Sequence, residues 1–207
     1  MLQLMRWDRF RTWEIVTLTS ISVATMMLLL LFAHGLTETG VLLTIRATGR
    51  VSFPLFFMLS LSGSLYKLIP SRKAYWLLAN RKYLGLAFAI VYLYHALGFT
   101  TLIIMTQEPH IEGLELILSI ICYGFLVAMT VTSFRNIRRQ ISPWLWNSLH
   151  GTGMLFFWYF FLQEFMHRAE ENMVVYLPLA LMTAAILPIK LIAATKPEKT
   201  TVQEVNP

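Results

Sequence analysis

Cysteine is almost absent from this chain, which has 207 residues and only Cys122. A single thiol has no partner within the chain, so the sequence excludes a disulfide framework and any metal or iron–sulfur site built from several cysteines. A glycine fingerprint of the Rossmann type is also missing, and the chain is therefore not expected to bind a dinucleotide in the usual way.

Charged residues are scarce as well, at 14% of the chain against 57% hydrophobic residues, and the mean hydropathy is +0.60. A membrane span needs roughly 20 predominantly apolar residues. Six stretches qualify, and backbone polar groups in lipid favour helices packed as one bundle with short loops. The sequence therefore predicts an all-α integral membrane protein with a six-transmembrane-helix bundle in residues 1–195 and a disordered cytoplasmic tail in residues 196–207. The predicted spans are Glu14–His34, Val51–Leu68, Tyr83–Met105, Leu114–Phe134, Leu145–Phe165 and Met173–Ala194.

The net charge of +6 follows from how lysine and arginine are distributed between the two sides of these spans. With the N-terminus inside, 14 of the 17 basic residues fall in inner segments, which is a strong positive-inside pattern and predicts that both termini are cytoplasmic. This pattern explains the basic character without nucleic acid as a partner. The inner residues are Arg6, Arg9, Arg11, Lys67, Arg72, Lys73, Arg81, Lys82, Arg135, Arg138, Arg139, Lys190, Lys196 and Lys199, and the outer ones are Arg46, Arg50 and Arg168.

Two of the five histidines lie inside predicted spans: His95 about 18 Å from the inner end of the third span, and His150 about 9 Å from that of the fifth. Ionisable residues inside a span are expensive and indicate function by default. Imidazoles on two helices that run in the same direction could provide both axial ligands of one haem. The alternative is that each histidine is hydrogen-bonded to a neighbouring helix, in a haem-free structural subunit or a small transporter. Spacing alone leaves both interpretations open.

Three sequence motifs resemble those of a known family. The stretch "NRKYLGLAFAIVYLYHALGF", residues 80–99, has a basic pair, Leu-Gly-Leu and Ala-Phe before a histidine. The stretch "WNSLH", residues 146–150, ends in a Leu-His pair and has a tryptophan four residues before its histidine. The stretch "RATGR", residues 46–50, precedes an apolar helix. Together these features resemble the ferric-reductase-like transmembrane domain family. The nearest branch is the haem-binding membrane subunit of periplasmic methionine-sulfoxide reductase systems, from which this chain diverges.

The resemblance implies b-type haem, electron transfer to or from a redox partner protein, and a location in the bacterial inner or cytoplasmic membrane. It makes His95 and His150 the candidate iron ligands and Arg81 a candidate cofactor-binding residue. Members of this branch carry another histidine thirteen residues after the first in the fifth span, where this chain has Gln163, and His167 lies one turn further on. We therefore expect one haem, with two as the alternative. A quinone or FMN on the cytoplasmic side could complete the electron route.

Overall fold

A computed structural model of the chain describes residues 13–107 and 113–196, and every regular element in these two ranges is a helix. The all-helical prediction is therefore confirmed for this part of the chain. The predicted tail beyond Lys196, the N-terminal arginines and His110 lie outside the described residues. The helices are α1 (Glu14–His34), α2 (Glu38–Leu68), α3 (Arg72–Ala79), α4 (Arg81–Thr106), α5 (Gly113–Thr132), α6 (Arg135–Arg138), α7 (Pro143–Ala169) and α8 (Met173–Thr195).

Five of these helices, α1, α2, α4, α5 and α8, are long and apolar enough to cross a membrane. Helices α1, α4, α5 and α8 agree with predicted spans to within about two residues, which is the usual uncertainty of a helix end. Helix α7 is longer than most, with 27 residues, but it is not among the five. Its sequence mixes apolar residues with tryptophan, tyrosine, histidine and amide side chains, which lowers its hydropathy. The chain thus has the character of an integral membrane protein.

Helix α2 is considerably longer than the predicted second span, because it begins at Glu38 instead of Val51. The Thr37 side chain accepts a hydrogen bond from the Gly40 backbone N–H and caps this helix end. The prediction that Arg46 and Arg50 lie in a segment before the helix is therefore wrong, since both are well inside α2. The predicted span began after these two charged residues, but in the structure both arginines lie on the exposed side of α2.

The segment between the second and third predicted spans was expected to be a turn, but it contains the short helix α3. The Ser71 hydroxyl accepts from the Ala74 backbone N–H and caps this helix. Ala74 is buried, whereas Arg72 and Lys73 are exposed. At the same end of the bundle, the Lys196 ammonium donates to the Leu68 carbonyl at the end of α2 (3.0 Å). We call this end, marked by Arg81, Lys82, Arg138 and Lys196, the basic end.

The core of the bundle is a cluster of aromatic rings where α2, α4 and α7 meet. The ring centres of Phe56 and Phe161 are 4.9 Å apart, and those of Phe88 and Phe157 are 5.0 Å apart. Tyr92 extends the cluster, with its ring centre 5.1 Å from that of Phe157 in an edge-to-face arrangement. These contacts fix the relative heights of α4 and α7, and so the heights of the histidines that the two helices carry.

Candidate functional site

His95 lies on the face of α4 that packs against α2. Its Nδ1 is 3.0 Å from the Thr48 Oγ1 and 3.1 Å from the Ile45 carbonyl oxygen. Gly49 leaves space for the imidazole, since a Cβ atom there would lie 3.6 Å from the His95 Cε1. The Tyr92 ring, one turn before His95, and the Phe99 ring, one turn after it, also contact the imidazole. The ring is thus held against the backbone of α2.

The hydrogen bonds around His95 determine its tautomer. The Thr48 hydroxyl donates to the Thr44 and Ile45 carbonyl oxygens, each at 2.9 Å, so its oxygen is left to accept from His95. The Ile45 carbonyl can only accept. Both contacts therefore require a proton on the His95 Nδ1. The Nε2 then carries the lone pair, and it has no hydrogen-bond partner in the part of the chain that the structure describes.

His150 is held differently, by α5. Its Nε2 is 3.2 Å from the Thr132 Oγ1, and this hydroxyl donates to the Ala128 carbonyl (2.7 Å). The Nε2 is therefore the protonated nitrogen and donates to Thr132. Trp146 stacks on the imidazole with ring centres 4.1 Å apart, and its Nε1 donates to the Thr132 carbonyl (3.3 Å). In contrast to His95, His150 uses the nitrogen that usually faces a bound metal.

His150 lines a cavity of about 260 Å³ near the basic end, between α2, α4, α5, α6 and α7. Most of the cavity wall is apolar, from residues such as Leu59, Phe88, Leu126 and Met154. Three cations, Arg81, Lys82 and Arg138, also line it. Two of them contact aromatic rings: the Arg138 guanidinium lies 4.7 Å from the centre of the Trp146 ring, and the Lys82 ammonium 5.2 Å from that of Phe134. Such contacts hold these cations near the cavity.

The structure brings together only two of the three residues singled out in the sequence. His150 and Arg81 line the cavity near the basic end, which we call the inner cavity, whereas His95 does not. His95 is three residues beyond Tyr92 in α4, and His150 is seven residues before Phe157 in α7, and the Tyr92 and Phe157 rings are in contact. At 1.5 Å per residue, the two histidines are about 15 Å apart along the bundle axis. This exceeds the difference of about 9 Å expected from the sequence.

The residues at the expected position of a further ligand lie near the opposite end of α7. Gln163 and His167 are both exposed. Glu164 forms an ion pair with Arg168 one turn later in the same helix. Among the described residues, no group of three or more histidine, cysteine and acidic side chains could hold a metal ion. Two histidines on one haem do not need such a group.

Sequence reasoning missed the two threonines that bind the histidines. Thr48 precedes His95 by 47 residues, and Thr132 precedes His150 by 18. Nothing in a single sequence pairs residues across such distances. The only available signal is weak: both threonines lie within apolar helices, where a hydroxyl must find an acceptor in its own or a neighbouring helix.

The chain has no match among protein-family models, curated proteins or solved structures. The family resemblance of its motifs therefore stays a prediction.

Proposed function

We propose that this chain is a b-type haem-binding membrane protein that relays electrons between a reductant, either a quinone or a flavoprotein, and a partner protein or acceptor. In this proposal α7 is a sixth membrane crossing, and both termini lie in the cytoplasm of a bacterium. The supporting features of α7 are its 27 residues, which exceed the roughly 20 needed for a span, and its contacts with α2, α4, α5 and α8. The basic end is then the cytoplasmic side.

The observation that carries the proposal is the inner cavity, because it combines an imidazole, apolar walls and three cations. Haem is a flat apolar macrocycle with an iron at its centre and two carboxylates at one edge, so its chemistry matches this set of residues. His150 would bind the iron through its Nε2, in place of the hydrogen bond to Thr132. Arg81, Lys82 and Arg138 would face the carboxylates, since guanidinium and ammonium groups form strong hydrogen bonds with carboxylates. The volume of about 260 Å³ is below the range of about 300–1,000 Å³ that is typical of ligand pockets, so side chains must move to admit haem.

His95 supports a second ligand position nearer the opposite end. Its protonated Nδ1 is anchored and its Nε2 is free, which is the arrangement found in most histidines that bind metals. A single haem between His95 and His150 would have to bridge an axial separation of about 15 Å, so two separate positions agree better with the observed contacts. Between the two positions lie the Phe88, Tyr92 and Phe157 rings.

In such a protein the haem supplies one-electron chemistry, and the chain supplies binding, orientation and electrostatics. His150 and His95 would hold the iron, and the aromatic core would exclude water from the space between them. The cations of the inner cavity favour the reduced, more negative state of any cofactor near them. A quinone or FMN at the basic end would complete the electron route on the cytoplasmic side.

The contacts of both histidines also support a second candidate function, a haem-free structural subunit or small transporter. Each imidazole already donates to a threonine on a neighbouring helix, at 3.0 Å for His95 and 3.2 Å for His150. Hydrogen bonds of this kind join helices in membrane bundles without any cofactor. In this interpretation the cavity near His150 is a packing defect.

A reduced-minus-oxidised absorption spectrum of the purified chain, expressed with sufficient haem, separates the two functions. We expect a b-type signal. His150→Ala and His95→Ala should each remove about half of the haem if there are two positions, and each should remove all of it if one haem joins the two histidines. His167→Ala is the matched control, because this exposed histidine is on the same helix as His150. Absence of haem from the wild-type chain would refute the proposal in favour of the second function.

A further inference from the structure

The contact between α2 and α4 at His95 contains more than one hydrogen bond to the same ring nitrogen. The His95 Nδ1 faces both the Thr48 hydroxyl and the Ile45 carbonyl oxygen, and Thr48 itself is completely buried. The Thr48 hydroxyl in turn donates to the carbonyl oxygens of the preceding turn of α2. The ring nitrogen is thus tied to a backbone turn through a side chain that cannot rotate freely.

We propose that Thr48 is a positioning residue: it holds the His95 imidazole in its Nδ1–H tautomer and so leaves the Nε2 lone pair as a ligand for an iron-containing cofactor. The role of Nε2 rests on the proposed function, whereas the tautomer and ring orientation do not. Outer hydrogen-bond partners of this kind fix the orientation of a metal-binding imidazole and increase its basicity. Thr48 would therefore influence the strength of the iron ligand without contacting the cofactor.

The geometry indicates how substitutions at this position act. Thr48→Val keeps the shape of the side chain but replaces the oxygen 3.0 Å from the His95 Nδ1 by a methyl group, or leaves that place empty. A methyl group cannot accept a hydrogen bond, and carbon atoms normally keep about 3.5–4.0 Å from such neighbours. The ring must then move away from α2, and the bond to the Ile45 carbonyl is weakened. Thr48→Ser keeps the hydroxyl and should keep the bond.

Thr44 provides a matched control one turn earlier in α2. It is also buried, and its hydroxyl donates to the Val41 carbonyl (2.7 Å). Thr44→Val therefore removes a buried hydroxyl from the same helix. It leaves the Thr44 carbonyl, which accepts from Thr48, in place. Any general effect of losing a threonine from α2 should appear in both valine variants.

The experiment is ¹⁵N NMR of the haem-free full chain with labelled histidine, in which protonated and unprotonated ring nitrogens give well-separated signals. Substitution of His95 by Gln identifies its signals among those of the other histidines. We expect the Nδ1–H tautomer in the wild-type chain, in Thr48→Ser and in Thr44→Val, and a mixture of tautomers in Thr48→Val. A wild-type His95 protonated at Nε2, or a Thr48→Val spectrum identical to that of the wild type, would overturn the positioning role.

A second measurement tests the ligand role of Nε2. Loss of an outer-shell partner typically weakens metal binding about 10- to 100-fold, so Thr48→Val should bind haem at the His95 position more weakly by about that factor, and Thr48→Ser should restore binding. Unchanged affinity in Thr48→Val would contradict this part of the inference. If the wild-type chain binds no haem, the proposed function fails, but the tautomer result is unaffected. The two failures are therefore distinguishable.

Discussion

Gly98 lies in close contact with Ile45 where α4 packs against α2, and its replacement by alanine should separate these two helices. A Cβ atom at this position would lie 2.8 Å from the Ile45 Cγ1. Carbon atoms pack at about 3.5–4.0 Å, so the two helices must move apart by about 1 Å. The Ile45 side chain cannot easily move out of the way, since it is buried and, being β-branched, has one preferred rotamer in a helix.

The expected cost follows from two opposing contributions. Overpacking of this kind costs about 1–3 kcal/mol. Alanine is better than glycine in a helix by about 0.8–1.0 kcal/mol, which offsets part of this cost. We therefore expect Gly98→Ala to lower the free energy of unfolding by up to about 2 kcal/mol. Because Ile45 and Thr48 lie on the same stretch of α2, a displacement of about 1 Å would also break the 3.0 Å bond between Thr48 and His95.

Gly85 is the matched control, because it lies on the same helix and also faces α2. A Cβ atom there would lie 3.9 Å from the nearest Leu59 methyl carbon, which is an ordinary contact. Gly85→Ala should therefore keep the gain in helix propensity without a clash. The difference between the two variants isolates the overpacking term, and we expect it to be about 1–3 kcal/mol.

The assay is reversible unfolding of the two variants in mixed micelles, followed by circular dichroism. ¹⁵N NMR of His95 in Gly98→Ala gives an independent readout of the helix separation. If Gly98→Ala is as stable as Gly85→Ala and the His95 tautomer is unchanged, the close packing of α2 against α4 at this level would be disproved.

Two further substitutions test the packing of α7. Phe157→Ala removes a fully buried ring from the aromatic core. We expect the free energy of unfolding to fall by about half of the ~3–5 kcal/mol seen in water-soluble cores, since a lipid environment removes much of the transfer contribution. Leu155→Ala on the exposed side of α7 is the control, and an equal loss of stability in both variants would contradict the core position of Phe157. Trp158→Phe removes the 2.7 Å hydrogen bond from the Trp158 Nε1 to the Thr183 carbonyl in α8. Loss of this bond should lower the free energy of unfolding by about 0.5–1.5 kcal/mol in the same assay. No measurable change would show that the bond does not contribute to the packing of α7 against α8.

Most helix positions follow from hydropathy, because a bilayer demands long uninterrupted apolar helices. Helices α1, α4, α5 and α8 needed no other information. The errors lie where polar residues occur inside or beside a helix. The first turns of α2 were not predicted, because Arg46 and Arg50 are charged and an apolar span was expected to begin after them. The short helix α3 is too small to be distinguished from a turn by composition.

The candidate site was less predictable than the fold. His95 and His150 could be selected from the sequence because an imidazole in an apolar span is unusual. The relative height of the two histidines along the bundle could not be predicted, since it depends on the register of α4 against α7. Contact between the Tyr92 and Phe157 rings determines that register. The cavity near His150 also depends on residues from five helices, α2, α4, α5, α6 and α7.

The sequence by itself determined that this chain is helical and membrane-like, and which two imidazoles lie within its apolar segments, because these properties depend on composition and on residues close together in the chain. Only the tertiary structure decided which threonine each histidine contacts, which ring nitrogen is left free, and that His150 shares a cavity with Arg81 whereas His95 does not. Those facts depend on contacts between helices. Such contacts are set by close packing of particular side chains, as at Gly98 and Ile45, and the order of residues along one helix does not contain them.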